Sequence, residues 1–309
     1  NNNKGSTTTI KLLKDATMET NQFLKNQITL ILDLKGYTLT STSDGGITIG
    51  TPKEETIGSH LTIKNGIYEN THTYGTAIWG FIGGSITIES TATVKAADAA
   101  IITGDNSITG GGTTVKVYGT IECGGTAIWG QGPKNKIYLD GATITADDFG
   151  VYHNYKFGGS EIEIKTSTIE ATGQDGVGIY LGNNESSAAD STRQGKHTLS
   201  ITDSTIEGAW GIGVLYTDVT ISGENTEVIA SENALEVTRR DDSKTDGKTL
   251  GNLSITGGTF TGEIYIEADE GQETSSAQLT ISGGTFLDVS GSGYDVSQYL
   301  SSGMTQDEN

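Results

Sequence analysis

Proline and cysteine are nearly absent from this chain, and each scarcity removes a class of architecture. Two prolines and one cysteine stand among 309 residues. Without a second cysteine no intrachain disulfide forms, so the core rather than covalent staples must hold the fold. Cys123, in the turn Glu122-Cys123-Gly124-Gly125, reads as a small structural residue, because no histidine or acidic partner accompanies it in its own rung. No run approaches the eighteen apolar residues that cross a bilayer as a helix, so no membrane insertion is expected. Basic residues are also short: 19 Lys and Arg against 39 Asp and Glu leave a formal net charge of −20. With no Lys/Arg-rich run the chain offers phosphates no positive face, which excludes nucleic acid as the expected partner. The acidic surplus favours solubility and an affinity for cations.

Glycine is abundant, with 44 residues and no period of three, so collagen is excluded. With Thr, Ser and Ile common and no heptad-like runs, the composition favours strands separated by tight turns. Thr126-Ala127-Ile128-Trp129-Gly130 repeats, residue for residue, Thr76-Ala77-Ile78-Trp79-Gly80. Related segments are Ala100-Ile101-Ile102-Thr103-Gly104, Gly150-Val151-Tyr152-His153-Asn154 and Gly178-Ile179-Tyr180-Leu181-Gly182. Recurrence at roughly 20 to 40 residues marks a repeat architecture.

Each unit has three parts. An alternating pair opens it, as in Leu61/Ile63, Ile86/Ile88, Val115/Val117, Ile137/Leu139, Ile162/Ile164, Leu199/Ile201, Val219/Ile221, Leu253/Ile255 and Leu279/Ile281. A short strand of Thr plus one large apolar residue follows, as in Thr143-Ile144 and Thr168-Ile169, and the recurring segment is the third strand. The chain is therefore expected to be all-β: a single-stranded right-handed parallel β-helix with three short strands per coil and about ten coils, spanning residues 1–290. Residues 1–50 form a less regular capping layer, and 291–309 a C-terminal cap ending in a disordered tail from Gln306. Excess residues collect after the third strand, at 182–198 and 239–252 and more weakly at 103–112. Insertions on one edge of a solenoid often mark its binding face. The polar residues there are Asn183, Asn184, Glu185, Arg193, Lys196, Arg239, Arg240, Asp241 and Asp242.

Charge fixes the orientation of the third strand. In Glu263-Ile264-Tyr265-Ile266-Glu267 the isoleucines must point inward and Tyr265 outward, because strand side chains alternate. Carried back, this register turns Ile78, Ile101, Ile128, Val151, Ile179 and Ile212 inward. The outward row becomes Trp79, Ile102, Trp129, Tyr152, Tyr180, Gly213, Glu236 and Tyr265. Trp79, Trp129, Tyr152 and Tyr180 are the candidate ligand-binding residues, since exterior aromatic rings stack on the apolar faces of sugars while polar neighbours hold hydroxyls. The alternative reading is cross-coil packing, or a satellite core beneath the long loops.

Asp147-Asp148-Phe149-Gly150-Val151 and the repeating coils together resemble the pectate-lyase-like β-helix superfamily, and the paired aspartates resemble the strand entry of polygalacturonases. That resemblance implies glycoside chemistry on Asp147, Asp148 and Asp175, because such cleavage needs two carboxylates with room between them. The Gly-His-Gly and Arg-Ile-Lys motifs of those hydrolases are missing, the corresponding stretches reading Gln174-Asp175-Gly176-Val177 and Gly211-Ile212-Gly213. Pectate lyases use an Arg or Lys base beside calcium, and here every arginine falls in a loop. His153 is expected to be structural. A calcium ion is the one cofactor the carboxylates suggest, needing six to eight oxygens, and the turns carry no EF-hand or nonapeptide pattern.

Thr9-Ile10-Lys11-Leu12-Leu13-Lys14-Asp15, Leu32-Asp33-Leu34-Lys35-Gly36-Tyr37-Thr38-Leu39 and the paired Gly-Gly-Thr-Phe turns at 257–260 and 283–286 resemble large surface proteins of Gram-positive gut bacteria. This implies an extracellular or cell-surface module, part of a longer protein, monomeric by default, with a polysaccharide or cell-surface glycan as partner. The absence of an initiating Met and of a signal-peptide core fits a trimmed boundary. The leading expectation is a non-catalytic, adhesin-like or carbohydrate-binding β-helix. A polysaccharide lyase or hydrolase acting on uronic-acid polymers and a ligand-free spacer are the alternatives.

Overall fold

A computed structural model describes residues 5–25, 27–50, 58–104, 111–153, 158–182, 195–238, 251–267, 279–300 and 303–306. Asn154, Asn183, Asn184, Glu185, Arg193, Arg239, Arg240, Asp241 and Asp242 lie outside them.

The described residues form a parallel β-solenoid of about nine turns, with almost no helix. From Thr7–Lys11 to Thr205–Gly208 each strand pairs in parallel with the third strand after it, so the coil closes over three sheets. The alternating pairs stack in register: Leu61 on Ile86, Ile86 on Val115, Val115 on Ile137 and Ile137 on Ile162. Leu199, Val219, Leu253 and Leu279 continue the column. Stacking coil on coil encloses one continuous apolar core, including Ile63, Ile88, Ile121, Ile144, Ile169, Ile206 and Phe260, all fully buried. Residues 7–49 already pair in this register, Leu30 with Leu61 and Leu39 with Tyr68. Toward the C-terminus the corners smooth out, and Glu227–Thr238 and Leu253–Ile266 run as single strands across two sheets, interrupted by register shifts.

One corner departs from strict alternation. Ala77, Ala100, Ala127 and Ala234, each just before an inward Ile or Leu, are fully buried rather than outward. The ladder skips these positions, pairing Thr126 with Phe149 and then Ile128 with Val151, which marks a bend where the second sheet turns into the third. The same column carries Gly150, Gly178 and Gly211, where an added Cβ would fall 2.1 Å from Ile169, 2.5 Å from Ile206 and 2.4 Å from Val228. Side chains of the next coil fill this corner, so only Ala and Gly fit.

The last coil is closed by its own chain. Leu287 bridges antiparallel to Gly293, Val296 is buried, and Tyr294, Tyr299 and Leu300 pack on the core beside the 3-10 turn Ser297–Tyr299. Gln306, read from sequence as part of a disordered tail, is instead bonded into this cap: its Oε1 accepts from the Val296 N–H at 2.9 Å and its Nε2 donates to the Tyr294 carbonyl at 2.7 Å. A glutamine side chain can copy the pairing of a strand edge, which composition does not reveal.

Candidate functional site: the outward aromatic row

The third sheet places the expected row in one register. Trp79 faces Ile102, Ile102 faces Trp129, Trp129 faces Tyr152, and Tyr152 faces Tyr180. Gly213, Glu236 and Tyr265 continue it. The two preceding coils add Thr48 and then Phe23, which is 56% exposed and has the Lys25 ammonium 5.0 Å from its ring centroid. The sequence reading missed Phe23 because the short strand Gln22–Leu24 has too few residues to show a period.

Trp79, Trp129, Tyr152 and Tyr180 are half-buried, and Ile102 between the tryptophans is buried. Trp129 lies 6.0 Å from Tyr152 and Tyr152 lies 5.9 Å from Tyr180, centroid to centroid. Coils repeat at about 4.8 Å, so these rings are displaced sideways rather than eclipsed, and each keeps part of its surface open. Phe149, 4.8 Å from Tyr152, thickens the row, while Phe81 stacks on Trp79 at 5.3 Å. The Tyr180 ring covers Gly213, where an added Cβ would meet Cδ2 at 3.0 Å. Burial, and secondarily the Glu236 carboxylate, raises the pKa of the Tyr180 phenol, so it stays a neutral donor and acceptor. Trp210 stands off the row with its Nε1 donating to Glu232 at 2.7 Å.

The turn carboxylates lie between the second and third strands of two successive coils. Asp147, Asp148 and Asp175 are exposed. Asp147 Oδ1 accepts from Thr172 Oγ1 at 2.8 Å, and backbone bonds tie Asp148 into the turn. Asp175 sits in a longer turn than the one holding Asp147 and Asp148, so the three are not stacked in register. Among the described residues no group of three or more His, Cys, Asp or Glu is placed to hold a metal ion. Burial pushes the Cys123 thiol up to about 12, with Asp147 and Asp98 adding repulsion, so the thiolate nucleophile is scarce at neutral pH.

A polar seam inside the coil was not anticipated. Along the inner face of the third sheet the column runs Ile49, Gly80, Thr103, Gly130, His153, Leu181, Val214, so four positions in the middle are not apolar. Beside it, at the corner leading into the first sheet, stand the buried Ser59, Thr113, Asn135, Ser160, His197 and Thr217. Ser160 Oγ lies 2.8 Å from His153 Nε2, the spacing of a nucleophile and its base. Both are enclosed by the core, so no substrate reaches them and the pair is structural. Polar residues recurring just before each first strand were the available signal in the sequence. Among the described residues, the buried side-chain atoms without a hydrogen-bond partner are Thr103 Oγ1 and Trp129 Nε1.

Fold and site together define a parallel β-solenoid bearing an aromatic row on one outer face. No protein-family model, curated protein or solved structure matches the chain.

Proposed function

We propose that the chain is a non-catalytic, extracellular or cell-surface β-solenoid of the pectate-lyase-like kind, which binds an extended glycan along the outward aromatic row. The observation that carries this reading is the unbroken register from Trp79 to Tyr180, with rings half-buried and offset. Rings fixed on a rigid sheet lose little freedom on binding, so partly open aromatic surface gives affinity at low entropic cost. A track along the solenoid axis suits a linear polymer rather than a single sugar.

The second reading is a ligand-free spacer in which the row only ties coils together. It is favoured by the Trp79 indole, whose Nε1 already donates to the Gly104 carbonyl of the next coil at 2.8 Å. Glycan arrays and pull-downs with insoluble polysaccharides, run on wild type and on a folded Trp129→Ala variant, separate the two. Binding by wild type that Trp129→Ala removes supports the glycan reading. Equal binding by both removes Trp129 from the site, and no binding across the panel leaves the spacer.

A further inference from the structure

The outer face of the second sheet changes character toward the C-terminus. In its column nearest the third sheet, Lys95 pairs with Glu122 at 2.7 Å, and Glu69 accepts from Thr40 Oγ1 at 2.7 Å. Further along the same column Glu170 stacks on Glu207, and Ile229 and Thr261 follow in register. Both glutamates are exposed, and neither has a hydrogen bond or ion pair among the described residues. Coils repeat at about 4.8 Å, so two like charges stand side by side, an unfavourable cross-strand pair. Among the described residues after Lys165 the one Lys or Arg is Lys196, which is held by Asp218 at 3.1 Å.

These residues line an open hollow of about 530 Å³. Glu170 and Glu207 give it charge, Ser231 and Thr261 give hydroxyls, and Ile229 and Val289, 36% and 62% exposed, give an apolar wall. Val289 stands in the turn after Leu279–Leu287, where Asp288 Oδ1 accepts from the Ser290 and Ser292 N–H groups at 2.8 and 2.9 Å and holds the wall in place. A hollow that is acidic on one side and apolar on the other fits a cation carried beside an apolar side chain.

The chain itself carries such a group. Leu13, in the corner between Thr7–Lys11 and Ala16–Met18, is 86% exposed, and Lys11 and Lys14 beside it are exposed as well. Register explains the exposure: Lys11 pairs with Asp33, which sets Leu12 over the buried Leu34 and Leu13 over Lys35, at an outward turn position. The neighbouring Asp15 carboxylate accepts from the Thr38 N–H at 2.8 Å, and neither lysine forms an ion pair among the described residues. Residues 1–36 hold five lysines against three acids, the reverse of the balance over the whole chain, 19 basic to 39 acidic.

We propose that the hollow at Glu170 and Glu207 receives the corner of Lys11, Leu13 and Lys14 from a second copy of this chain. The lysines meet the two glutamates, and Leu13 lies on Ile229 and Val289, so charge and apolar surface are matched together. Each copy carries both halves, and two copies lying antiparallel make the contact twice and close as a two-fold pair. The aromatic row is on a different sheet and stays open, so this inference does not depend on the glycan reading.

The test is sedimentation equilibrium on the full chain and on charge-swapped variants, whose substitutions are all at exposed positions and leave the fold intact. We expect a reversible, concentration-dependent dimer. Lys11→Glu/Lys14→Glu and Glu170→Lys/Glu207→Lys each put like charges in contact and should weaken the dimer at least about tenfold. An equimolar mixture of the two variants should restore it, because each reversed half then meets its reversed counterpart. Leu13→Ser should weaken it without any change of charge. A monomeric wild type overturns the proposal, including one whose hollow takes up a free peptide of residues 9–16, which would assign the hollow to a different basic partner. Charge swaps that leave the dimer unchanged, or a mixture no tighter than either variant alone, overturn it equally.

Discussion

Thr76–Gly80 and Thr126–Gly130 are the same five residues in the same sheet, yet they work differently. In both, the Ile is fully buried and the Trp is half-buried in the outward row. The first tryptophan donates Nε1 to Gly104 on the following coil and stacks on Phe81. The second has a buried Nε1 with no partner and leans on Tyr152. The glycines differ as well: the space over Gly80 is taken by the Thr113 methyl, whereas that over Gly130 is taken by the His153 ring. A local sequence decides which side chains point in and which point out. The neighbouring coil decides what they touch.

Substituting the two glycines alike should break the equivalence most visibly. An Ala Cβ at Gly130 would fall 2.3 Å from His153 Cδ2, and at Gly80 2.6 Å from Thr113 Cγ2. Neither glycine has a left-handed φ, so the cost is steric. The imidazole is pinned by Ser160 and Asn135, so Gly130→Ala should cost about 3 kcal/mol and Gly80→Ala about 1 kcal/mol by denaturant unfolding. Equal losses would mean that the seam yields as readily as a lone threonine.

Trimming the two tryptophans should give a smaller but more telling difference. Trp79→Phe removes a made hydrogen bond and should cost about 1 kcal/mol. Trp129→Phe removes a buried donor without a partner, and this relief offsets the lost ring area, leaving stability within about 0.5 kcal/mol of wild type. Matching losses at the two sites would show that the Trp129 indole nitrogen finds a partner in solution.

This contrast also marks what the sequence could reveal. The columns headed by Leu61 and Ile63 were legible because burial on one side forces a period of two. The outward row was legible because Glu263 and Glu267 fix the inside of one strand and register carries that answer to every coil. The buried Ala77, Ala100 and Ala127 corner was not, since it depends on a bend and on side chains from the next coil. His153 and His197 lie far apart in sequence and meet only because coils stack. The carboxylates at Asp147, Asp148 and Asp175 stand together as a string of residues, whereas the structure shows all three exposed in turns of unequal length.

The most direct test sets the row against those carboxylates on one panel of insoluble polysaccharides, using Tyr152→Ser/Tyr180→Ser and Asp147→Asn/Asp148→Asn/Asp175→Asn variants of confirmed fold. The account predicts that the tyrosine variant loses at least about tenfold in retention, while the aspartate variant binds like wild type and neither wild type nor variant releases sugar products. Retention lost with the aspartates but kept without the tyrosines, or product release that the aspartate substitutions abolish, would contradict it.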